Sequence, residues 1–470
     1  MTHLPAEIWL YIASFIPRTD LVKLLELNSL FFNVAMDLRY RRVDLQTLSR
    51  KTSQYLCRLS DPMVGQRVLQ LTVSPDFRYY GRPKIPTMLD RVGNVLHLAL
   101  GRSMSSRPEE QATKTLIDVL PCLTRVNTFT IDCHSWGEHS APEIHMFLQT
   151  AWTSFGQNLR KLSLRGHTAA FRTIIHSITT LPAVDELSIE LIDNPLHFDP
   201  TCAETLLQVV APFINGLASR LRAFTLCSWG TTDLSQLFLT MDHFPNLTRF
   251  EIQTSFPKTF REDPTGLCRF LARHSATIKH LVLRLNTTPL AFSTTATSEE
   301  PLSEWMVNMF TAEEWKFRNL QELHIYPTVL PGGLNALTCC IQNSLDTLQS
   351  LVVRDRYLSP EEAAIVVNAL PPLLKSLRLN IRVLDVGLFD ILAKRLTGLK
   401  SLSLYIGTVS PAFARDMEQR TYATWNLHHI GVWHSGSTLD SHLMALISRA
   451  IPSLRACWGN KNAVDDFGLR

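Results

Sequence analysis

At 470 residues, with 45% hydrophobic and 19% charged side chains, the chain has the composition of a folded protein, which excludes disorder as its default state. Its net charge of +4, from 46 basic and 42 acidic residues spread along the chain, excludes a general affinity for nucleic acid or anionic membrane. No stretch reaches the roughly 18 uninterrupted apolar residues of a membrane span, and no basic, then apolar leader opens the sequence. Nine scattered cysteines suit buried thiols in a reducing compartment, so a cytoplasmic or nuclear protein is expected.

The first predicted element is a short helix over LPAEIWLYIASFIP, residues 4–17. Ile8, Ile12, Phe15 and Ile16 share one face, Leu4 and Pro5 stand at its start, and Pro17 closes it. Thr19 or Asp20 can cap a second helix carrying Leu21, Leu24, Leu25 and Leu27. Ser29 can start a third, holding Phe31, Phe32, Val34, Ala35 and Leu38. Three short helices in about forty residues make too small a core for comfortable independent stability, so this head, residues 1–45, is expected to lean on something else. Residues 46–67 read as a linker or cap.

From residue 68 onward a phrase recurs: apolar, two mostly polar residues, apolar, any residue, apolar. It runs from VLQLTV (68–73), VLHLAL (95–100), VNTFTI (126–131) and LRKLSL (159–164) through LQELHI (320–325), LKSLRL (374–379) and LHHIGV (427–432) to a degraded LRACWG (454–459). Fourteen copies start at intervals of 25 to 42 residues, nine of them with Leu, and four follow Asn as Asn-Leu. Between them, segments such as CAETLLQVVAPFINGLASR, PEEAAIVVNALPPL and DVGLFDILAKRLTG carry helical apolar spacing, several ending at Pro or Gly. One strand and one helix per unit of this length is the signature of a leucine-rich repeat, and the sequence resembles the helix-containing class, as in ribonuclease inhibitor. The Asn or Cys expected shortly after each strand of a regular repeat is missing, so the array is divergent. The fold expected is α/β: the helical head, then a curved solenoid over 68–470, with parallel strands on the concave face and helices outside. No single repeat can bury its apolar face, such as Leu162 and Leu164, so stacking must supply the core.

Two stretches break the pattern. NTTPLAFSTTATSEEPLSEW, with its Ser/Thr-rich part at 286–304, should be an exposed loop within the longest interval. SPDFRYYGRPKIP (74–86) mixes basic and aromatic residues and reads as a packed early loop.

Alternation along each strand places the residues beside the buried leucines on the concave face. There the later repeats present Arg284, Arg354 and Arg378 with Tyr326, Tyr405 and Trp433, a cationic and aromatic strip of the residue types that carry binding hot spots. A protein substrate of acidic or phosphorylated character is expected against it, the plainer alternative being ordinary solvated strand residues. Catalytic signatures are missing: there is no phosphate-binding Gly-rich loop, no His-Glu-x-x-His and no Cys-x-x-Cys. Cys339-Cys340 falls in an apolar helix, and His428, His429 and His434 divide between opposite faces of a strand. No enzyme, cofactor or metal is expected.

Leu4, Pro5, Glu7 and Ile8 match the Leu-Pro-x-Glu-[Ile/Leu] opening of an F-box. Ile12, Asp20-Leu21 and Ser29 with Phe32 match its later positions, while Tyr40-Arg41-Arg42 stands where the family often has Trp. This resemblance implies docking to a Skp-type adaptor and, through it, to a cullin scaffold, with Leu4, Pro5, Glu7, Ile8, Ile12, Leu21, Leu24 and Leu27 at the interface. The solenoid would then be the substrate receptor of an SCF-type ubiquitin ligase. The alternative is a leucine-rich scaffold outside any ligase, whose head only caps the first repeat.

Overall fold

The computed structural model describes residues 5–24, 29–47, 50–74, 108–133, 142–178, 181–193, 201–230, 232–255, 260, 265–285, 317–325, 332–434 and 441–458. These form two compact units, Met1–Leu221 and Arg222–Arg470.

The first unit holds strands β1 (Arg42–Leu45), β2 (Gln70–Val73), β3 (Thr128–Cys133), β4 (Lys161–Gly166) and β5 (Glu186–Leu191). They pair in chain order and all in parallel, with Leu71 beside Phe129, Phe129 beside Leu162, and Leu162 beside Leu187. Parallel neighbours need a crossover, and the helices Pro108–Val119, Pro142–Phe155 and Thr168–Ser177 lie between successive strands to supply it. Period-two patterning explains each strand: Leu162 and Leu164 are fully buried while Lys161, Ser163 and Arg165 point away from the helices. Each buried leucine stabilises its unit by about 1.5–3 kcal/mol. Aromatic side chains widen this core, with Phe129 meeting Phe147, Trp152 and Phe155 at ring-centre distances of 6.4, 5.7 and 5.0 Å.

The second unit repeats the plan with β6 (Ala223–Ser228), β7 (Arg249–Thr254), β8 (His280–Leu285), β9 (Glu322–Ile325), β10 (Ser350–Leu358), β11 (Ser376–Leu384), β12 (Ser401–Val409), β13 (His429–His434) and β14 (Ala456–Trp458). Each pairs in parallel with the next. The helices Pro360–Ala369 and Val386–Arg395 begin at side-chain caps, Ser359 and Asp385, each accepting a backbone N–H from the first turn. Side chains also bind successive repeats together: the amide of Asn319, which introduces one phrase, donates to Ala276 O at 2.6 Å, and Trp425 Nε1 donates to Leu396 O at 3.0 Å. In the first unit Asn158 does the same to Thr124 O at 2.9 Å. Two of the four Asn-Leu asparagines thus fill a ladder role from in front of the strand.

Thirteen of the fourteen phrases fall on strands, so the repeat reading holds in both units. One boundary differs. The ladder starts at Arg42, inside the segment assigned to the head, because Arg42–Leu45 pairs with Gln70–Val73 and buries Val43 and Leu45. Residues 50–59 and 62–65, within the expected linker or cap, are helices between these two strands. The phrase at 95–100 lies outside the described residues, and β2 pairs directly with β3. The loop at 286–304 and the stretch at 74–86, apart from Ser74, also lie outside; β8 pairs directly with β9 across the long interval.

The head comprises helix Ala6–Phe15, a single turn Arg18–Leu21 continued as a 3-10 turn Val22–Leu24, and helix Ser29–Tyr40. Its own core is small: Ala13, Leu21 and Phe31, with Trp9, Ile16, Leu24, Val34 and Leu38 packed around them. The second helix starts at Arg18, directly after Pro17, and Leu25 and Leu27 lie outside the described residues. Among the described residues, no helix is long and apolar enough to cross a membrane.

Candidate binding faces on the head and the strand ladder

The first head helix is apolar on both sides, and the small head core covers only one of them. Trp9 and Ala13 turn inward, Trp9 meeting Phe31 edge to face at 5.5 Å. The outer side carries Ile8 at 44%, Tyr11 at 66% and Phe15 at 70% exposure, and Ile12 and Phe32 are exposed as well. Pro5 is the N-cap, one position earlier than a first-turn proline, and its carbonyl accepts from Ile8 N and Trp9 N at 3.1 and 3.3 Å. Of the candidate interface residues, Pro5, Glu7, Ile8 and Ile12 face solvent. Leu21 is withdrawn into the head's core and Leu24 half-buried against it, because forty residues have few other groups to fill that core. Leu4 and Leu27 lie outside the described residues.

The third head helix faces the first repeat. Arg67 reaches back to Asp37 Oδ1 at 2.5 Å, Asn33 Oδ1 at 2.7 Å and Asn33 O at 3.1 Å, and Arg58 Nη1 donates to the buried Tyr40 hydroxyl at 3.3 Å.

On the helix-free face of the second unit, the strands divide into two regions. On β7–β9 cations are matched by carboxylates. Glu251 faces Arg249 at 3.6 Å and Arg284 at 3.4 Å. Glu322 accepts from His280 Nδ1 and His324 Nε2, both at 2.7 Å. These bonds, with that from His324 the larger cause, outweigh burial and pull the Glu322 carboxyl down to about 2.

On β10–β14 the outward positions are aromatic and cationic. Tyr405 and Trp433 are register partners and stack at 5.0 Å with their planes 19° apart. The Arg378 guanidinium lies 4.9 Å from the Tyr405 ring centre and 5.9 Å from that of Trp433, and its Nη2 donates to Tyr405 Oη at 3.0 Å. Arg354 approaches the same tyrosine at 5.6 Å. Such placements over a ring face are attractive by about 0.5–2 kcal/mol each. The β10–β11 register shifts between Val353 and Tyr357, a bulge that frees Arg354 from strict alternation, and Asn380 Nδ2 donates to the Arg354 carbonyl. His429 stacks on Trp458 at 5.6 Å and 8°.

Four of the six strip residues thus meet: Arg354, Arg378, Tyr405 and Trp433. Arg284 belongs to the carboxylate-matched region instead, and Tyr326 lies outside the described residues. Trp433 is no exposed hot spot, being 8% exposed. Its indole folds over Gly431, where a Cβ would stand 2.1 Å from Trp433 Cη2, so a glycine is what lets the ring lie flat. Trp458 was missed, although it holds the outward position of the last phrase. Among the described residues no group of His, Cys, Asp or Glu could hold a metal ion.

No family model matches the chain, and no curated protein matches it. Among solved structures, a chain from the crystal structure of the Rad7 and Elc1 complex in yeast is similar at 14% identity, covering 78% of this chain and 86% of that chain, with a TM-score of 0.37. Neither face is assigned from so distant a likeness.

Proposed function

We propose that the chain is the substrate-recognition subunit of an SCF-type ubiquitin ligase, itself without catalytic activity. Its head would dock a Skp-type adaptor and, through it, a cullin scaffold, while the strand ladder, a divergent leucine-rich repeat array, receives a protein substrate. The observation that carries this reading is the outward apolar face of the first head helix, Ile8, Ile12 and Phe15, which coincides with the F-box-like Leu4-Pro5-x-Glu7-Ile8. A soluble surface seldom keeps so many large apolar groups together unless another molecule covers them. Helix-on-helix docking of this face would bury side chains each contributing about 1.5–3 kcal/mol. The capping alternative is favoured by the Arg67 contacts to the third head helix, and the two roles use different sides of the head, so they are compatible.

Co-purification with a recombinant Skp-type adaptor tests the reading. Ile8→Asp places a charge on an exposed position, so the fold should survive with an unchanged thermal midpoint while adaptor affinity falls by about a hundredfold. Unchanged binding by Ile8→Asp and Ile12→Asp would leave the head as a cap alone.

A further inference from the structure

The Arg354–Arg378–Tyr405–Trp433 cluster carries more chemical information than a generic receptor surface. The strands β11–β14 read SLRLNIRVL, SLSLYIGTV, HIGVWH and ACW, with no Asp or Glu among them. The one acidic residue of β10, Asp355, lies within the bulge. Earlier strands of the same unit hold cations against Glu251 and Glu322, whereas among the described residues Arg354 and Arg378 both approach the Tyr405 ring.

Two guanidiniums over one tyrosine repel each other, and an anion between or beside them relieves that repulsion. Stacking engages the flat side of a guanidinium, whereas its N–H edge is the side that grips carboxylate or phosphate oxygens in a planar fork; Arg378 already directs Nη2 to Tyr405 Oη. The platform is also preorganised. The Tyr405–Trp433 stack is fixed by parallel register and by Gly431, so little conformational freedom is lost when a ligand lands. Trp433 Nε1 and Asn380 Oδ1 are buried polar atoms with no hydrogen-bond partner among the described residues, a donor and an acceptor that water or a ligand can satisfy.

We propose that this face of β10–β13 binds an extended acidic segment of a protein partner, its carboxylate or phosphate oxygens on Arg354 and Arg378 and an adjacent apolar side chain against Tyr405 and Trp433. A nucleic-acid strand fits less well, because backbone recognition gathers many phosphate contacts, whereas only two arginines converge here and the whole chain is only +4. The inference rests on the receptor half of the proposed function and is independent of the adaptor half.

The test is a positional-scanning peptide library, with and without phosphoserine, selected on the purified full-length chain. The expected result is enrichment of Asp, Glu or phosphoserine beside an aromatic or branched residue. Phosphoserine and glutamate versions of the best labelled peptide then separate phosphate from carboxylate as the anion. Its affinity should fall at least about tenfold in the Arg354→Gln, Arg378→Gln double variant and should weaken with added salt. Tyr405→Phe, which keeps the ring and removes the Arg378 hydroxyl contact, should fold normally and lose less. Ile8→Asp should leave peptide affinity unchanged, so failure of the adaptor reading and failure of this one are read separately. Selection of neutral or basic peptides, no selection at all, or full binding by the double arginine variant would overturn the proposal. A labelled oligouridine that bound through the same arginines in preference to every peptide would overturn it as well.

Discussion

His274 shows how one residue couples the second unit to pH. The ring is fully buried, its Nδ1 bonded to the Phe270 carbonyl at 2.6 Å and its Nε2 accepting from Phe244 N–H at 2.8 Å. Both nitrogens are satisfied only in the neutral tautomer with the proton on Nδ1. Burial above all, with His243 and Arg273 adding positive charge nearby, pushes its pKa down to about 4 against the pull of the Phe270 carbonyl. The unfolded chain takes up this proton near pH 6.5 and the folded chain only near 4, so the full contribution is present above 6.5 and is lost as pH falls toward 4. Between pH 7.5 and 5 the loss is about 2 kcal/mol. Urea unfolding of the wild type should show that decline, and His274→Gln, though less stable throughout, should show a shallower slope over the same range. Glu322 does not confuse the measurement, because its depressed carboxyl weakens folding only as pH falls through 4.5 toward 2. A buried histidine in HFPNLTRF…LARHS could not be recognised in the sequence, since Phe270 lies one turn earlier in its own helix but Phe244 is brought to it by packing between neighbouring repeats.

At the scale of elements, the helix after β10 starts at a local cap. In SPEEAAIVVNAL the Ser359 hydroxyl accepts from Glu362 N at 3.2 Å, and the Glu362 carboxylate accepts from Ser359 N at 2.9 Å, a reciprocal capping box. Glu362 also pairs with Arg356 of the neighbouring bulge. Ser359→Ala should therefore cost about 1 kcal/mol. Glu362→Ala should cost more, because it also releases Arg356, and urea midpoints of the two variants give the comparison. Strands were legible because their pattern is local: the alternation in LRKLSL records which side chains face the helices.

Over the first unit, the decisive fact is that the head and the ladder share a strand. A chain beginning at residue 68 removes β1, uncovers the backbone edge of β2 and exposes Leu71 and Val73, the kind of open edge that invites aggregation. A chain beginning at Ser29 keeps β1 and the Arg67 contacts to Asn33 and Asp37. The expected outcome is a monodisperse protein from the second and, from the first, a lower thermal midpoint with aggregation by size-exclusion chromatography. Equal behaviour would show that β1 is dispensable.

The sequence by itself determined the repeat, the faces of its strands and the outward positions of Arg354, Arg378 and Tyr405, because each depends on residues within a few positions of one another. Tertiary structure decided which strands are neighbours, that Arg42–Leu45 is one of them and that β2 pairs directly with β3, because parallel pairing joins residues tens of positions apart. It also decided the fate of individual outward residues. Arg284 is matched by Glu251, Trp433 is laid down over Gly431, and Leu21 is drawn inside, each through a neighbour that spacing alone does not reveal. For the helix at residues 6–15 the two levels meet: its pattern made it apolar, and packing left Ile8, Ile12 and Phe15 facing outward.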